Sequence, residues 1–441
     1  MNCKCAICQK HHPFAMPDEI ISAATQGDLV LFCGAGISTE NKTVLPYSFY
    51  TSIRKELGVK ETDISFSKLM QKYCEQPNGR KKLLRKIKER FDYIHSFPEL
   101  ERNATTFHNE LAELFFIKTI ITTNWDTYFE DYCSATPITI PEDFAFWDAD
   151  DRYVLKIHGS INNLSTIVAT EDDYKKCFSR LQNGIIGATL KTILATKTVV
   201  FIGFSFGDED FSQIMHYLRD EMKDIYPHVY IVTTDNQLPQ KLSYTNSSCI
   251  VTDGTFFLHQ LKLLFKERNW IVNCENRPII QELLYNLKNL HSNIGAINID
   301  AYPNVLYTLA YQDGIIHALE RFLQMYDTGT YNTPGRISGL AKAYEELSHN
   351  AHEAGDYWNF SYYEGYLNGL ILIMATEDNY EAVKALPRYF IPLVEKEVNN
   401  FDTFMAELKK SCRKKNQYSS YAKKIASQYG SPEMVVHHPP Y

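Results

Sequence analysis

Five short apolar runs punctuate the first half of the chain, and each ends abruptly in small or polar residues. Leu29-Val30-Leu31-Phe32-Cys33 runs into Gly34-Ala35-Gly36-Ile37-Ser38, and Thr119-Ile120-Ile121-Thr122 into Thr123-Asn124-Trp125-Asp126. Val154-Leu155-Lys156-Ile157 gives way to His158-Gly159-Ser160, and Thr198–Ile202 to Gly203-Phe204-Ser205-Phe206-Gly207-Asp208. The fifth run, Val229–Val232, ends in Thr233-Thr234-Asp235-Asn236. Unbroken runs of this length fit strands covered on both faces of a parallel sheet. Helical patterns lie between them, for example at His108–Phe116 and Phe211–Met222. A further helix opens at Pro17-Asp18-Glu19, with acids at its positive end, and stops at Gly27-Asp28. Strands alternating with helices predict a doubly wound α/β fold. Ligands of such sheets sit beyond the carboxyl ends of the strands, where the Gly, Asn, Asp, His and Ser residues of this chain gather.

After about residue 275 the period changes. Ile279–Leu290, Val305–Tyr326, Ile337–His349, Tyr362–Ala375, Val383–Phe401 and Phe404–Lys410 carry apolar residues at helical spacing. The organisation expected is a Cys/His-rich segment over 1–16, an α/β domain over 17–275, an all-helical domain over 280–430 and a tail over 431–441.

Composition narrows the classes. A chain of 441 residues is long enough for two or three domains, and 44% hydrophobic with 22% charged residues excludes wholesale disorder. The net charge of −8 argues against a polycation that coats nucleic acid. The longest apolar stretches, Thr198–Phe206 and Gly369–Ala375, fall far short of the ~20 residues that span a bilayer. Ten cysteines scattered through this length do not form a disulfide framework, and the expectation is a cytoplasmic protein. The 29 tyrosines and 25 phenylalanines suit cores and subunit interfaces, so a homo-oligomer is expected.

Gly34-Ala35-Gly36 after a buried strand lets backbone approach a pyrophosphate, with N–H groups of a following helix offered to the anion. It is not the G-x-G-x-x-G fingerprint, and no acid about twenty positions on ends a second strand, which argues against hydride transfer.

Four segments, taken together and in order, resemble the sirtuin family. Gly34-Ala35-Gly36-Ile37-Ser38-Thr39-Glu40 resembles its nucleotide loop, and Thr122-Thr123-Asn124-Trp125-Asp126 its Thr-Gln-Asn-x-Asp motif. Lys156-Ile157-His158-Gly159-Ser160 resembles its catalytic His-Gly segment, and Gly203-Phe204-Ser205 its later Gly-Thr-Ser. The resemblance spans roughly residues 17–260 and implies a Rossmann-like sirtuin domain. The departures are equally informative. Only Cys177 and Cys249 stand where deacetylases carry a zinc module of four cysteines, nothing matches the Phe-Gly-Glu peptide cradle, and Leu45-Pro46-Tyr47-Ser48-Phe49 replaces Asp-Phe-Arg. This combination resembles the zinc-less sirtuin-like domains of bacterial anti-phage systems that hydrolyse NAD+. The helical tail resembles that of the sirtuin-like subunit partnering a hexameric HerA-type ATPase.

The resemblance implies that NAD+ is the substrate, cleaved between nicotinamide and ribose through an oxocarbenium-like state. Asn124 suits positioning of a water or ribose hydroxyl, and His158 suits a general base. Asp126 is assigned to the nicotinamide amide or to the developing positive charge. Gly34, Ala35, Gly36, Ser38, Thr39, Gly203 and Ser205 are expected at the phosphates and ribose, and Asp235 toward the adenosine end. Asp208 and Asp235 read more readily as turn or cap residues than as ligands. The competing functions are a protein deacylase with a degenerate zinc site and a non-catalytic NAD-binding sensor or scaffold.

Two features stand outside this pattern. Cys3, Cys5, Cys8 and His11 supply thiolates and imidazole at a spacing suited to a structural zinc, set against an N-terminal tail that merely contains cysteines. Arg80–Lys88 and Lys409–Lys415 are basic runs, read as solvated helix faces or contacts to an acidic partner rather than a nucleic-acid surface.

Overall fold

A computed structural model describes residues 5–11, 13–61, 64–147, 151–204, 220, 223, 228–238, 246–268, 270–271, 277–326, 331, 334–374, 388–394, 398 and 400–429. The chain divides into two compact units that meet in sequence between Glu267 and Arg268.

The first unit is built on a seven-stranded sheet. Its strands are β1 (Leu29–Cys33), β2 (Thr119–Thr122), β3 (Thr136–Ile138), β4 (Tyr153–Lys156), β5 (Thr198–Ile202), β6 (Val229–Thr233) and β7 (Ser247–Val251). They are ordered β3-β4-β2-β1-β5-β6-β7, and every pairing is parallel. The five apolar runs are the five inner strands, because a strand with neighbours on both edges and helices on both faces exposes no side chain to water. Phe32 shows the register: it lies beside Ile121 of β2 and Phe201 of β5, with the two phenylalanine rings stacked at 4.9 Å.

The flanking helices follow from local chemistry. Helix α1 (Asp18–Gln26) starts on Pro17 and ends where Gly27 turns left-handed at φ +73°. Ser48 caps α2 (Phe49–Leu57) by accepting from the Thr51 N–H, and Ser65 caps α3 (Phe66–Cys74) by accepting from that of Lys68. In α4 (Gly79–His95), Leu83, Ile87, Phe91 and Ile94 form the buried stripe, while Lys81, Lys82, Arg85 and Lys88 face water. The first basic run is thus a solvated helix face. The helix expected at His108–Phe116 is instead the end of α5 (Pro98–Ala112), and most of Phe211–Met222 lies outside the described residues.

The second unit is helical. Its helices span Arg277–Gly295, Val305–Met325, Pro334–Glu353, Tyr357–Met374, Phe401–Arg413 and Gln417–Tyr429. Helices 305–325 and 357–374 touch backbone to backbone: a Cβ on Gly365 would lie 1.9 Å from the Tyr311 carbonyl oxygen, and one on Gly314 2.1 Å from that of Tyr362. Within the helical pattern at Val383–Phe401, residues 388–394 are irregular instead, while 383–387, 395–397 and 399 lie outside the described residues. The Phe390 carbonyl there accepts a 2.7 Å bond from the Thr308 hydroxyl. Among the described residues, no helix is long and apolar enough to cross a membrane.

Candidate functional site

The carboxyl ends of β1, β2, β4, β5 and β6 all open on one cleft of about 790 Å3, within the range of small-molecule sites. Of the expected residues, Ala35, Gly36, Thr39, Asn124, Asp126, His158, Gly203 and Asp235 line it. Ser205 and Asp208 lie outside the described residues.

The glycine turn is built differently from the expectation. Ala35–Ile37 is a single 3-10 turn, so no long helix offers its N-terminus to an anion here. The Gly34 N–H donates to the Ile202 carbonyl and the Gly36 N–H to that of Gly203, both at 2.9 Å. A Cβ on Gly34 or Gly36 would stand 2.7 or 2.8 Å from the Gly203 oxygen. These glycines therefore let the turns after β1 and β5 close on each other, and Gly203 itself takes φ +80°.

Asn124 follows β2. Its backbone N–H donates to Thr122 Oγ1 at 3.0 Å, and Thr122 Oγ1 donates to the Cys33 carbonyl at 2.9 Å, which locks the turn. Asn124 Nδ2 donates to the Gly34 carbonyl at 3.3 Å, whereas its buried Oδ1 has no hydrogen-bond partner among the described residues. An unpaired acceptor beside a cleft is suited to receive a ligand hydroxyl, amide or water. His158 follows β4, with its ring edge-on to Tyr174 at 5.1 Å. Gly159 holds this turn at φ +84°, where a Cβ would strike the Thr166 carbonyl oxygen at 2.3 Å.

Asp126, on the cleft wall, and Ser38, buried behind it, come together. Asp126 Oδ2 accepts from the Ser38 hydroxyl at 3.2 Å, and Oδ1 from the Tyr128 N–H at 3.3 Å. The carboxylate thus ties the turn after β1 to the turn after β2, and Ser38 is wholly buried beneath the cleft. Burial pushes the Asp126 carboxyl above its usual range, against the pull of Lys156. That lysine, fully buried in β4, donates to Glu130 at 2.9 Å and to the Asp126 carbonyl. Asp235 bends its own chain, with Oδ1 accepting from the Gln237 N–H at 2.8 Å, as a turn residue does. Burial drives the Cys33 thiol well above its usual value, which keeps it from acting as a thiolate nucleophile.

Several lining residues went unforeseen. Arg90 of α4 pairs with Glu40 at 3.0 Å and donates to the carbonyls of Thr39 and Tyr47 at 3.1 and 3.2 Å. Glu40 in turn accepts from the Phe49 N–H at 3.1 Å, so one arginine straps the 39–49 segment onto the cleft wall. Its signal in the sequence is a charge beside the stripe of Leu83, Ile87, Phe91 and Ile94. Trp125, packed on Phe49 and Phe66 at 6.5 and 6.1 Å, supplies an apolar wall, and Thr234, Asp253 and Thr255 add polar groups farther along.

The N-terminal cysteines also find a different partner. Cys5 and Cys8 meet His259, while the His11 ring stacks on Phe256 at 4.9 Å, apart from them; Cys3 lies outside the described residues.

Residues 118–252 match the family described as the SIR2-like domain. The chain is 25% identical over 228 residues to defense-associated sirtuin 2 of Bacillus subtilis, covering 49% of this chain and 22% of that protein. It is 30% identical over 220 residues to the NAD(+) hydrolase ThsA of Enterococcus faecium, covering 48% and 44%. It is 28% identical over 269 residues to ThsA of Bacillus cereus (strain MSX-D12), covering 59% and 53%. The chain thus spans about half the length, or less, of these curated relatives. The residues that carry β2 to β7 are SIR2-like, on a Rossmann-like parallel sheet.

Proposed function

We propose that this protein hydrolyses NAD+ to nicotinamide and ADP-ribose as an effector of anti-phage defence. The observation that carries the reading is the buried, unpartnered Asn124 Oδ1 on a cleft that also holds His158. Relatives named NAD(+) hydrolase support the chemistry, and one named defense-associated sirtuin supports the role in defence.

In this reaction the C1′–N bond of the nicotinamide riboside breaks, its electron pair going to the pyridinium nitrogen. Water adds to C1′ and releases a proton, so NAD+ and water yield nicotinamide, ADP-ribose and H+. Asn124 Oδ1 accepts a hydrogen bond from the attacking water or from a ribose hydroxyl, and His158 accepts the proton. Trp125, Phe49 and Phe66 shield the cationic ribose from bulk water. Asp126 is a positioning residue that fixes Ser38 and the Asn124 turn. Ala35, Gly36, Thr39 and Gly203 form the wall for the phosphates and ribose.

The proposal extends to the finer assignments that the sequence resemblance implies. These are the type lacking the sirtuin zinc module, a cytoplasmic homo-oligomer assembled through the 280–430 region, and a HerA-type ATPase as partner. Such a partner or oligomer gates an activity that would otherwise exhaust the host's NAD+.

The test is nicotinamide release from NAD+, followed by chromatography with and without the ATPase, for the unaltered chain, Asn124→Ala and His158→Ala. Release abolished by both substitutions is the expected result. Bound but uncleaved NAD+ under both conditions would replace the hydrolase by the sensor reading, and turnover of an acylated peptide would restore the deacylase.

A further inference from the structure

We infer that Cys5, Cys8 and His259 bind a zinc ion that fastens the N-terminal segment to the helix Gly254–Glu267. The three donor atoms all lie within 4.8 Å of one another. Tetrahedral zinc with ordinary Zn–S and Zn–N bonds spaces its ligands by about 3.5–3.8 Å, so small rotations close the set. Cys5 Sγ already stands 3.2 Å from His259 Nε2. Two thiolates and an imidazole are a donor set that favours zinc over the hard cations, and they leave one tetrahedral position for a water or a further donor.

The surroundings are those of a metal ligand shell. The Cys8 N–H points at Cys5 Sγ at 3.4 Å, the bond that a Cys-x-x-Cys turn uses to stabilise a thiolate. Behind the imidazole, His259 Nδ1 is 3.0 Å from the Glu110 carboxylate. A carboxylate on Nδ1 fixes the tautomer that presents the Nε2 lone pair outward, toward the sulfurs. Glu110 is itself held by Lys262 at 2.6 Å, Lys262 by Glu113 at 2.9 Å and Glu113 by Lys266 at 3.2 Å, so two carboxylates are matched by two ammonium groups. Two thiolates also neutralise the divalent ion, and no uncompensated charge is placed in this half-buried corner.

The site has a use. Among the described N-terminal residues, His11 and Phe14 stack on Phe256 and Phe257, the latter pair at 6.1 Å. The metal locks that packing and holds the helix whose first residues, Gly254 and Thr255, line the cleft. It is distinct from the sirtuin zinc module, which the resemblance places after the catalytic His. It also stands independently of the NAD+ reading, because its test reads metal and thiols.

The full-length chain is to be produced with added zinc, desalted, and its metal measured by plasma mass spectrometry. One zinc per chain is expected; Cys5→Ser, Cys8→Ser and His259→Gln should lose it, and His11→Asn should retain it. Should a serine variant fail to fold, the unaltered chain decides. Adding zinc to chelator-treated protein should remove two thiols from reaction with a chromogenic disulfide, and cobalt should give a thiolate charge-transfer band. Zinc well below one per chain, or a thiol count unchanged by zinc, overturns the proposal, as does loss of metal in His11→Asn with retention in His259→Gln.

Discussion

The two units use the same kinds of residue to opposite ends. In the sheet unit, Gly34, Gly36 and Gly203 let loop backbones meet at the strand ends, and the buried polar groups Asn124, Asp126 and His158 collect around the cleft above them. In the helical unit, Gly314 and Gly365 let two helices meet along their length. The buried polar groups there fasten one segment to another. Asn304 Nδ2 donates to the Ser411 hydroxyl at 3.1 Å, and Gln312 Nε2 to the Arg388 carbonyl at 2.9 Å. Buried polarity alone therefore does not mark a site. Nor does an unpartnered atom, since Asn304 Oδ1 and Gln312 Oε1 are as unpartnered among the described residues as Asn124 Oδ1; what sets Asn124 apart is that it stands on the wall of a cleft at the strand ends.

The sharpest break of this comparison is at the helix crossing. Gly365→Ala should destabilise the helical unit by more than about 3 kcal/mol, because its methyl meets backbone that cannot retreat. Gly36→Ala presses on a loop carbonyl at 2.8 Å, and about 1–3 kcal/mol is expected in the sheet unit. Thermal unfolding by circular dichroism ranks the two, and equal midpoints would erase the distinction.

Asn124→Ala comes next. On the proposed reading, nicotinamide release falls by about 100-fold or more. The fold should lose only about 1 kcal/mol for the single bond to Gly34. A loss of stability large enough to explain the lost activity would move Asn124 into the class of Asn304.

His108 gives an effect that is absent near neutral pH and grows only as pH falls. It is fully buried beside Phe107, Tyr128 and Phe129, and burial, with Lys156 adding to it, holds its pKa down to about 3. An unfolded chain takes up that proton near pH 6.5, so stability present above this value is lost as pH falls toward 3. The slope contributed is about 1.4 kcal/mol per pH unit. Urea unfolding at a series of pH values should show it, and His108→Phe should flatten it.

The least effect belongs to the basic runs. Lys81→Ala with Lys82→Ala, or Lys409→Ala with Lys414→Ala, should change stability by less than about 0.5 kcal/mol, since all four are exposed. Salt-sensitive retention on single-stranded DNA that these changes abolish would instead revive a nucleic-acid surface.

The inner strands were legible because a strand buried on both faces must be apolar without interruption, as in Leu29–Cys33 and Thr198–Ile202. The edge strands were not. Thr136–Ile138 contains a proline, and Ser247–Val251 is half polar, which a strand paired on one side tolerates. The site divides along the same line. The places of Asn124 and His158 on the cleft could be read because each stands at a strand end in a short motif, and the sheet carries strand ends to one place. The partner of Ser38 could not, because its hydroxyl donates to a carboxylate 88 positions away.

The sequence by itself determined a doubly wound sheet, a helical second half, and which turns face the cleft, since these follow from periodicity and local steric rules. Only the tertiary structure decided that Arg90 straps the cleft wall, that the Asp126 carboxylate anchors two turns to each other, and that Cys5 meets His259, 254 residues away, in place of His11. The physical reason is common to all three. A charged or metal-binding side chain is satisfied by whichever partner the packed chain brings within about 3 Å, and no local pattern encodes that partner.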